Sequence, residues 1–171
     1  MARDPNQLLL PVNPVFIGFT LIVALALDSI QFGRTPWMPD LLSLTLVFWN
    51  VHQPRRIGVG TAFFFGLLMD VHDSAVLGQH ALAFTLLSYF SISMHRRLLW
   101  FGVPAQALQI FPLFASAHAV SFIVRMLAGG MWPGWPVTLA PLSEALLWPV
   151  ITWLLLAPQR RAPDPDQNRP L

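Results

Sequence analysis

The chain has 171 residues, of which 55% are hydrophobic and 11% are charged, and its formal net charge is +2. So few charges cannot cover the water-exposed surface of an ordinary soluble domain, and so small a positive excess provides no basic patch for nucleic acid. The sequence contains no cysteine, which excludes disulfides, thiolate metal sites and cysteine nucleophiles.

Six apolar segments follow one another along the chain, and we expect each to form a membrane-crossing helix. A hydrocarbon core of about 30 Å requires about 20 apolar residues per helix. The predicted spans cover residues of about 8–30, 40–51, 57–71, 77–94, 103–127 and 136–157. Residues 1–160 are thus one predicted membrane domain, and the polar, proline-rich residues 159–171 have the composition of a disordered tail. The predicted fold is an all-α integral membrane protein, a bundle of six transmembrane helices.

The first two segments each have a second interpretation. The start of the chain resembles a cleavable signal peptide, with Arg3, an apolar run and a tripeptide at 24–26 that is typical of a cleavage site. The prolines and the acid before the apolar run favour an uncleaved span. Residues 40–51 are too short for an upright crossing at about 1.5 Å per residue, so a re-entrant hairpin stays open. A short or tilted crossing between Trp37 and His52 is favoured, because a hairpin would invert every later loop.

The arginines assign a topology to these spans. All ten basic residues are arginine. Those at positions 3, 55, 56, 96, 97, 160, 161 and 169 lie in alternate gaps, whereas the intervening gaps hold only Arg34 and Arg125. Cytoplasmic loops are enriched in Lys and Arg, so both termini and the arginine-rich loops are predicted to be cytoplasmic.

The third span has small residues at four-residue spacing. Gly58, Ala62 and Gly66 lie one turn apart, and Asp70 continues the series. Small residues at this spacing let membrane helices approach each other closely. We therefore expect these residues to form a helix-packing face inside the bundle.

Six charged residues lie in or near the predicted spans. Asp28, Asp40, Asp70, Asp73 and Arg125 fall near the predicted external ends, and Glu144 lies about two turns into the sixth span. A charge at the membrane centre costs about 2.5–3.5 kcal/mol on insertion scales, so such groups pair or line a cavity. The cluster is either an external cleft that binds a ligand or relays protons, or a structural cluster. The structural interpretation is favoured, with Arg125 neutralising Asp70 or Asp28 rather than Glu144.

No catalytic motif is present in the sequence. The motifs of metalloproteases, serine hydrolases, nucleotide-binding loops and calcium loops are all missing. His72 and His80 flank Asp70 and Asp73, which allows a His/Asp metal site or an ordinary hydrogen-bonded pair, and the pair is favoured. We therefore predict no catalytic residue, no bound cofactor and no metal.

Three stretches of the sequence resemble the bacterial MreD family of rod shape-determining proteins. They are Pro39-Asp40-Leu41-Leu42 leading to Phe48-Trp49, then Gly66 to Val71 with Leu77 to Leu82, and His95-Arg96-Arg97 closing the fourth span. The motifs are individually loose, but their order, their spacing and the total length are together fairly specific. The resemblance covers residues of about 8 to 160.

The resemblance implies a multi-pass protein of the bacterial inner membrane that acts in cell elongation, which is lateral peptidoglycan synthesis, and so maintains rod shape. Members of the family associate in the lipid bilayer with the periplasmic scaffold MreC. Directly or through MreC they also associate with cytoplasmic MreB filaments, a glycan polymerase and a class B penicillin-binding transpeptidase. They are not known as enzymes. Their fold is considered similar to that of the substrate-binding subunits of vitamin importers, so a small-molecule-binding importer subunit is the alternative.

The two alternatives predict different properties. An importer subunit needs a cavity on the order of a few hundred Å³ or more with convergent polar groups, whereas an interaction protein fills that space with its own side chains or with a partner. A scaffold has no essential ionisable group. Asp70→Asn and Asp73→Asn are therefore expected to leave cell shape near normal.

Overall fold

The computed structural model describes residues 12–30, 38–132 and 134–159. Within these residues the chain forms six α-helices and no strand. The helices are α1 (Pro14–Ile30), α2 (Leu41–His52), α3 (Val59–His72), α4 (Gln79–Leu99), α5 (Val103–Leu127) and α6 (Ala140–Leu156). Short 3₁₀ helices precede and follow α6, at Trp135–Leu139 and Ala157–Gln159. The prediction of an all-helical fold with six helices is confirmed for the described residues.

The helices follow the predicted spans in order and differ from them at their ends. α1 begins at Pro14, and the predicted start near residue 8 lies outside the described residues, as does most of the predicted tail. α4 continues to Leu99, past the predicted end at residue 94. The predicted start of the sixth span near residue 136 falls in the 3₁₀ helix. Pro141 occupies the first turn of α6, where its missing N–H is not needed.

Among the described residues, two helical stretches are long and apolar enough to cross a bilayer by length and composition, Val103–Leu127 and Trp135–Gln159. α1, α2 and α3 are apolar but have only 17, 12 and 14 residues. At about 1.5 Å per residue α2 is about 18 Å long, well below the thickness of a hydrocarbon core. A crossing by all six helices therefore stays a prediction.

The short helix α2 is the innermost helix of the bundle. It packs against α1, α4 and α6, and every residue from Leu42 to Val51 is buried. A helix that is apolar on all sides is stable when other elements surround it. Neighbouring helices therefore enclose α2 along its length. Over Leu41–His52 it is one uninterrupted helix.

Buried polar side chains of α2 are bonded to the helices around it. Trp49 Nε1 donates to Thr20 Oγ1 of α1 at 2.9 Å, and Asn50 Nδ2 donates to Ser88 Oγ of α4 at 2.7 Å. Each bond satisfies a donor that would otherwise be buried without a partner, which costs about 1–3 kcal/mol. These bonds fix the rotation of α2 and so orient its first turn.

The small residues of α3 differ in their surroundings. A Cβ atom added to Gly66 would lie 2.4 Å from the Cα atom of Ala81, so the backbones of α3 and α4 touch at this point. Ala62 is fully buried. Gly58 precedes α3 as its N-cap, and an added Cβ there meets no atom within 4 Å. The close approach is thus at Gly66, one turn before Asp70.

The outer faces of the helices carry large apolar side chains. Exposed examples are Phe19, Ile22, Phe63, Phe64, Leu108, Leu146 and Trp153. So much exposed apolar surface is typical of a protein that contacts lipid or partner helices.

Candidate functional site

All six helices contribute to a cleft at one end of the bundle. The cleft lies where α1, α3 and α5 end and where α2, α4 and α6 begin. The arginine pairs at 55–56 and 96–97 lie at the opposite helix ends. The volume of the cleft is about 750 Å³, within the range of about 300–1,000 Å³ that is common for ligand sites. Of the six charged residues in the predicted cluster, five line it: Asp28, Asp40, Asp73, Arg125 and Glu144.

Two carboxylates hold the first turn of α2. Asp40 is the N-cap residue, and its Oδ1 accepts a hydrogen bond from Ser43 N at 2.8 Å. Asp28, near the end of α1, accepts from Leu41 N at 3.1 Å and from Leu42 N at 2.7 Å. The first N–H groups of a helix have no partner within it, and the helix dipole favours negative charge there. Both carboxylates therefore stabilise the start of the central helix.

Asp70 accepts hydrogen bonds on both oxygens and is 1% exposed. Its Oδ1 accepts from His80 N at 2.7 Å and lies 2.9 Å from His80 Nδ1. Its Oδ2 accepts from Gly78 N at 2.8 Å and from Ala81 N at 3.3 Å. These donors belong to the first turn of α4 and the residue before it, so Asp70 closes the turn between α3 and α4. The residue lies behind the cleft and does not line it.

Glu144 is fully buried, and only one of its two oxygens has partners. Oε1 accepts from Asp40 N at 3.2 Å and lies 2.8 Å from His118 Nε2. Oε2 has no hydrogen-bond partner among the described residues. A buried acceptor without a donor costs about 1–3 kcal/mol, and more when it is charged. Glu144 therefore presents unused hydrogen-bonding capacity at the wall of the cleft.

Arg125 lies near the end of α5, where it lines the cleft and is exposed. None of the ion pairs among the described residues includes it. The predicted pairing of Arg125 with Asp70 or Asp28 is therefore not present. The physical reason is that both acids already accept backbone hydrogen bonds on both oxygens.

Two of the histidines that line the cleft form hydrogen-bonded pairs with acids. His80 pairs with Asp70 and His118 with Glu144, at 2.9 and 2.8 Å. No group of three His, Cys, Asp or Glu residues that could hold a metal ion occurs within the described residues. The arrangement places carboxyl acceptors and the guanidinium of Arg125 around one cleft.

Sequence reasoning did not find the His118–Glu144 pair. His118 shares a helical face with Arg125, which marks that face as polar, but the partner lies 26 residues away on another helix. The role of Asp28 at the start of α2 was also missed, because it depends on the packing of α1 against α2. The Asp70–His80 pair connects residues ten apart. A His/Asp pair was therefore predicted at this turn, but the sequence did not show which histidine bonds to which acid.

The comparisons with known proteins agree with one another. The family model of the rod shape-determining protein MreD matches residues 7–157. A protein of Haemophilus influenzae described as "Rod shape-determining protein MreD" is 26% identical over 147 residues, which are 84% of this chain and 88% of that protein. No solved structure shows a significant match.

Proposed function

The chain belongs to the MreD family of rod shape-determining membrane proteins, and we propose that it acts as a non-enzymatic scaffold of the cell-elongation complex. The family match over nearly the whole chain is the observation that carries this proposal. The described part of the fold supports it, because the acids Asp28 and Asp70 bond to backbone N–H groups that shape the bundle.

The proposed partners are those of the family. They are an MreC-type periplasmic scaffold, and through it or directly MreB filaments, a glycan polymerase and a class B penicillin-binding transpeptidase. A single-pass partner helix would pack on the exposed apolar side chains of the bundle, where it replaces lipid.

The proposed topology has six crossings of the bacterial inner membrane, with both termini and the arginine-rich loops in the cytoplasm. The cleft then faces the periplasm. Single cysteines placed in the natural cysteine-free chain test this with an impermeant thiol reagent. Cysteine at Ser74 and Gly134 should react in intact spheroplasts, whereas cysteine at Gln53, Leu98 and Gln167 should react only after lysis. Labelling of the second set in intact spheroplasts contradicts the topology.

Depletion of the protein tests the shape role. Rod-shaped cells should become spheres, and re-expression should restore rods. The tagged protein should co-purify with the single-span scaffold from native membranes. Cells that keep their rod shape and lateral wall synthesis after complete depletion would disprove the proposal.

One observation favours a second candidate, a small-molecule-binding subunit of an importer. The cleft of about 750 Å³ meets the size expected of a ligand site and is lined by several polar groups. A thermal-shift screen of the purified protein against vitamins tests this candidate. A saturable rise in the unfolding temperature with one vitamin, together with loss of its uptake on depletion, would support it over the scaffold.

A further inference from the structure

The oxygen Oε2 of Glu144 is the strongest unexplained feature of the cleft. The side chain of Glu144 is 0% exposed and lines the cleft, yet Oε2 has no donor within the described part of the chain. Burying a carboxylate oxygen without a hydrogen-bond donor is unfavourable. A donor at this position would therefore remove a cost that the folded protein otherwise carries.

Two donors of the chain are already used on the other oxygen. His118 Nε2 and Asp40 N both bond to Oε1. Both bonds hold the carboxylate in one orientation and leave Oε2 buried without a donor among the described residues.

The charge of the cleft selects the type of donor. Among the described residues, the cleft is lined by four carboxyl groups, those of Asp28, Asp40, Asp73 and Glu144, and by one guanidinium, that of Arg125. An excess of negative charge in a partly enclosed site attracts cations. Hydrogen bonds with an ionised donor and an ionised acceptor are also about twice as strong as neutral ones. An ammonium group with N–H donors meets both requirements.

Arg125 adds a positively charged group to the lining of the cleft. It is seven residues after His118 on α5, about 10 Å farther along the helix axis, and it forms no ion pair among the described residues. Phe84, Phe114 and Phe122 line the cleft, and aromatic faces attract cations. The cleft thus provides an anionic group at depth, a cationic group near the end of α5, and aromatic walls.

We propose that the cleft binds a small zwitterion with a primary ammonium group, whose N–H groups donate to Oε2 of Glu144 and whose anionic group contacts Arg125. This proposal rests on the geometry of the cleft and is independent of the scaffold role. Its ligand comes from a lipid headgroup or from a soluble compound, and both sources share this chemistry.

The test compares two probes that carry the same charges. O-phosphoethanolamine has three N–H donors, whereas O-phosphocholine has a methylated nitrogen and none. Each is titrated into the purified full chain in nanodiscs of phosphatidylglycerol, and the unfolding temperature is measured. Phosphoethanolamine should raise it and bind at least about tenfold more tightly than phosphocholine, because a charged hydrogen bond of about 1.5–3 kcal/mol is lost.

Three variants locate the binding. Glu144→Gln should abolish the effect of phosphoethanolamine, while its Oε1 still accepts from His118 and Asp40. Arg125→Gln should weaken binding about tenfold through loss of the anion contact. Arg97→Gln, a matched loss of one arginine at the other end of the bundle, should leave binding unchanged.

A second arm distinguishes the sources. Nanodiscs of phosphatidylglycerol are mixed with phosphatidylethanolamine or with the same amount of phosphatidylcholine. Stabilisation by phosphatidylethanolamine that Glu144→Gln removes assigns the site to a lipid headgroup, and stabilisation by the free probe alone assigns it to a soluble compound. Equal binding of both probes, binding retained in Glu144→Gln, or no stabilisation in either arm overturns the proposal. None of these results bears on rod shape, which depletion tests separately.

Discussion

The two buried carboxylates Asp70 and Glu144 are chemically alike and differ in what surrounds them. Asp70 accepts bonds from three backbone N–H groups and lies near one imidazole nitrogen, with both oxygens occupied. Glu144 accepts on one oxygen only, and the other lies unpaired at the cleft. Burial alone therefore does not separate a structural acid from an available one. The number and the origin of the hydrogen-bond donors around the acid separate the two cases.

The largest effect is expected from a substitution that separates α3 from α4, because the hydrogen bonds of Asp70 depend on their close contact. Gly66→Leu puts side-chain atoms where the backbone of Ala81 already lies, since even a Cβ would be 2.4 Å from its Cα atom. α4 must move away, and Asp70 then loses its donors. We expect severe loss of folded protein from the membrane, beyond about 4 kcal/mol of destabilisation. Membrane levels by immunoblot check this.

Gly60→Leu is the matched control for that change. Gly60 lies on the same helix, and a Cβ added there meets no atom within 4 Å. Its membrane level should stay near that of the natural protein. Equal losses in the two variants would show that the cost comes from leucine in α3 and not from the contact with α4.

A smaller effect is expected at the start of the central helix. Asp28→Asn keeps the shape of the side chain but replaces one acceptor oxygen by an NH₂ group that faces a backbone N–H of Leu41 or Leu42. We expect a loss of about 1–3 kcal/mol, measured as the unfolding temperature in detergent. Ser29→Ala is the control, because among the described residues Ser29 bonds only within its own helix, to Leu25 O. This variant should lose only a small fraction of the stability that Asp28→Asn loses.

The smallest effect compares the two histidines. His80→Phe leaves Asp70 with three backbone donors, whereas His118→Phe leaves Glu144 with only Asp40 N. His118→Phe should therefore lower the free energy of unfolding by about 1 kcal/mol more than His80→Phe. Denaturant unfolding of both variants measures the difference. A larger loss for His80→Phe would contradict the assignment of Asp70 as backbone-satisfied.

The sequence predicted the features that depend on neighbouring residues. Six helices, the close approach at Gly66 and a His/Asp pair near the turn after α3 follow from apolar runs, small-residue spacing and a short turn. The same reasoning paired Arg125 with Asp70 or Asp28, because it could not show that backbone N–H groups already occupied those acids. Glu144 could be identified as a deep acid, but its bond to Asp40 N connects residues 104 apart. Such contacts depend on the packing of whole helices.

The contacts of Asp70 also reverse one expectation. From the sequence, Asp70→Asn was expected to be tolerated as the loss of one external charge. In the structure both oxygens face donors, so an amide NH₂ must point at an N–H group. The variant should therefore lose stability, and cell shape would fail through loss of the protein rather than through loss of chemistry.

The unfolding temperatures of Asp70→Asn and Glu144→Gln, measured side by side in one detergent, test the central distinction most directly. Asp70→Asn should lower the temperature by about 5–10 °C, corresponding to about 2–3 kcal/mol. Glu144→Gln should stay within about 2 °C, because its Oε1 keeps its partners and its Oε2 has no hydrogen bond to lose. Equal losses, or a greater loss for Glu144→Gln, would contradict the account.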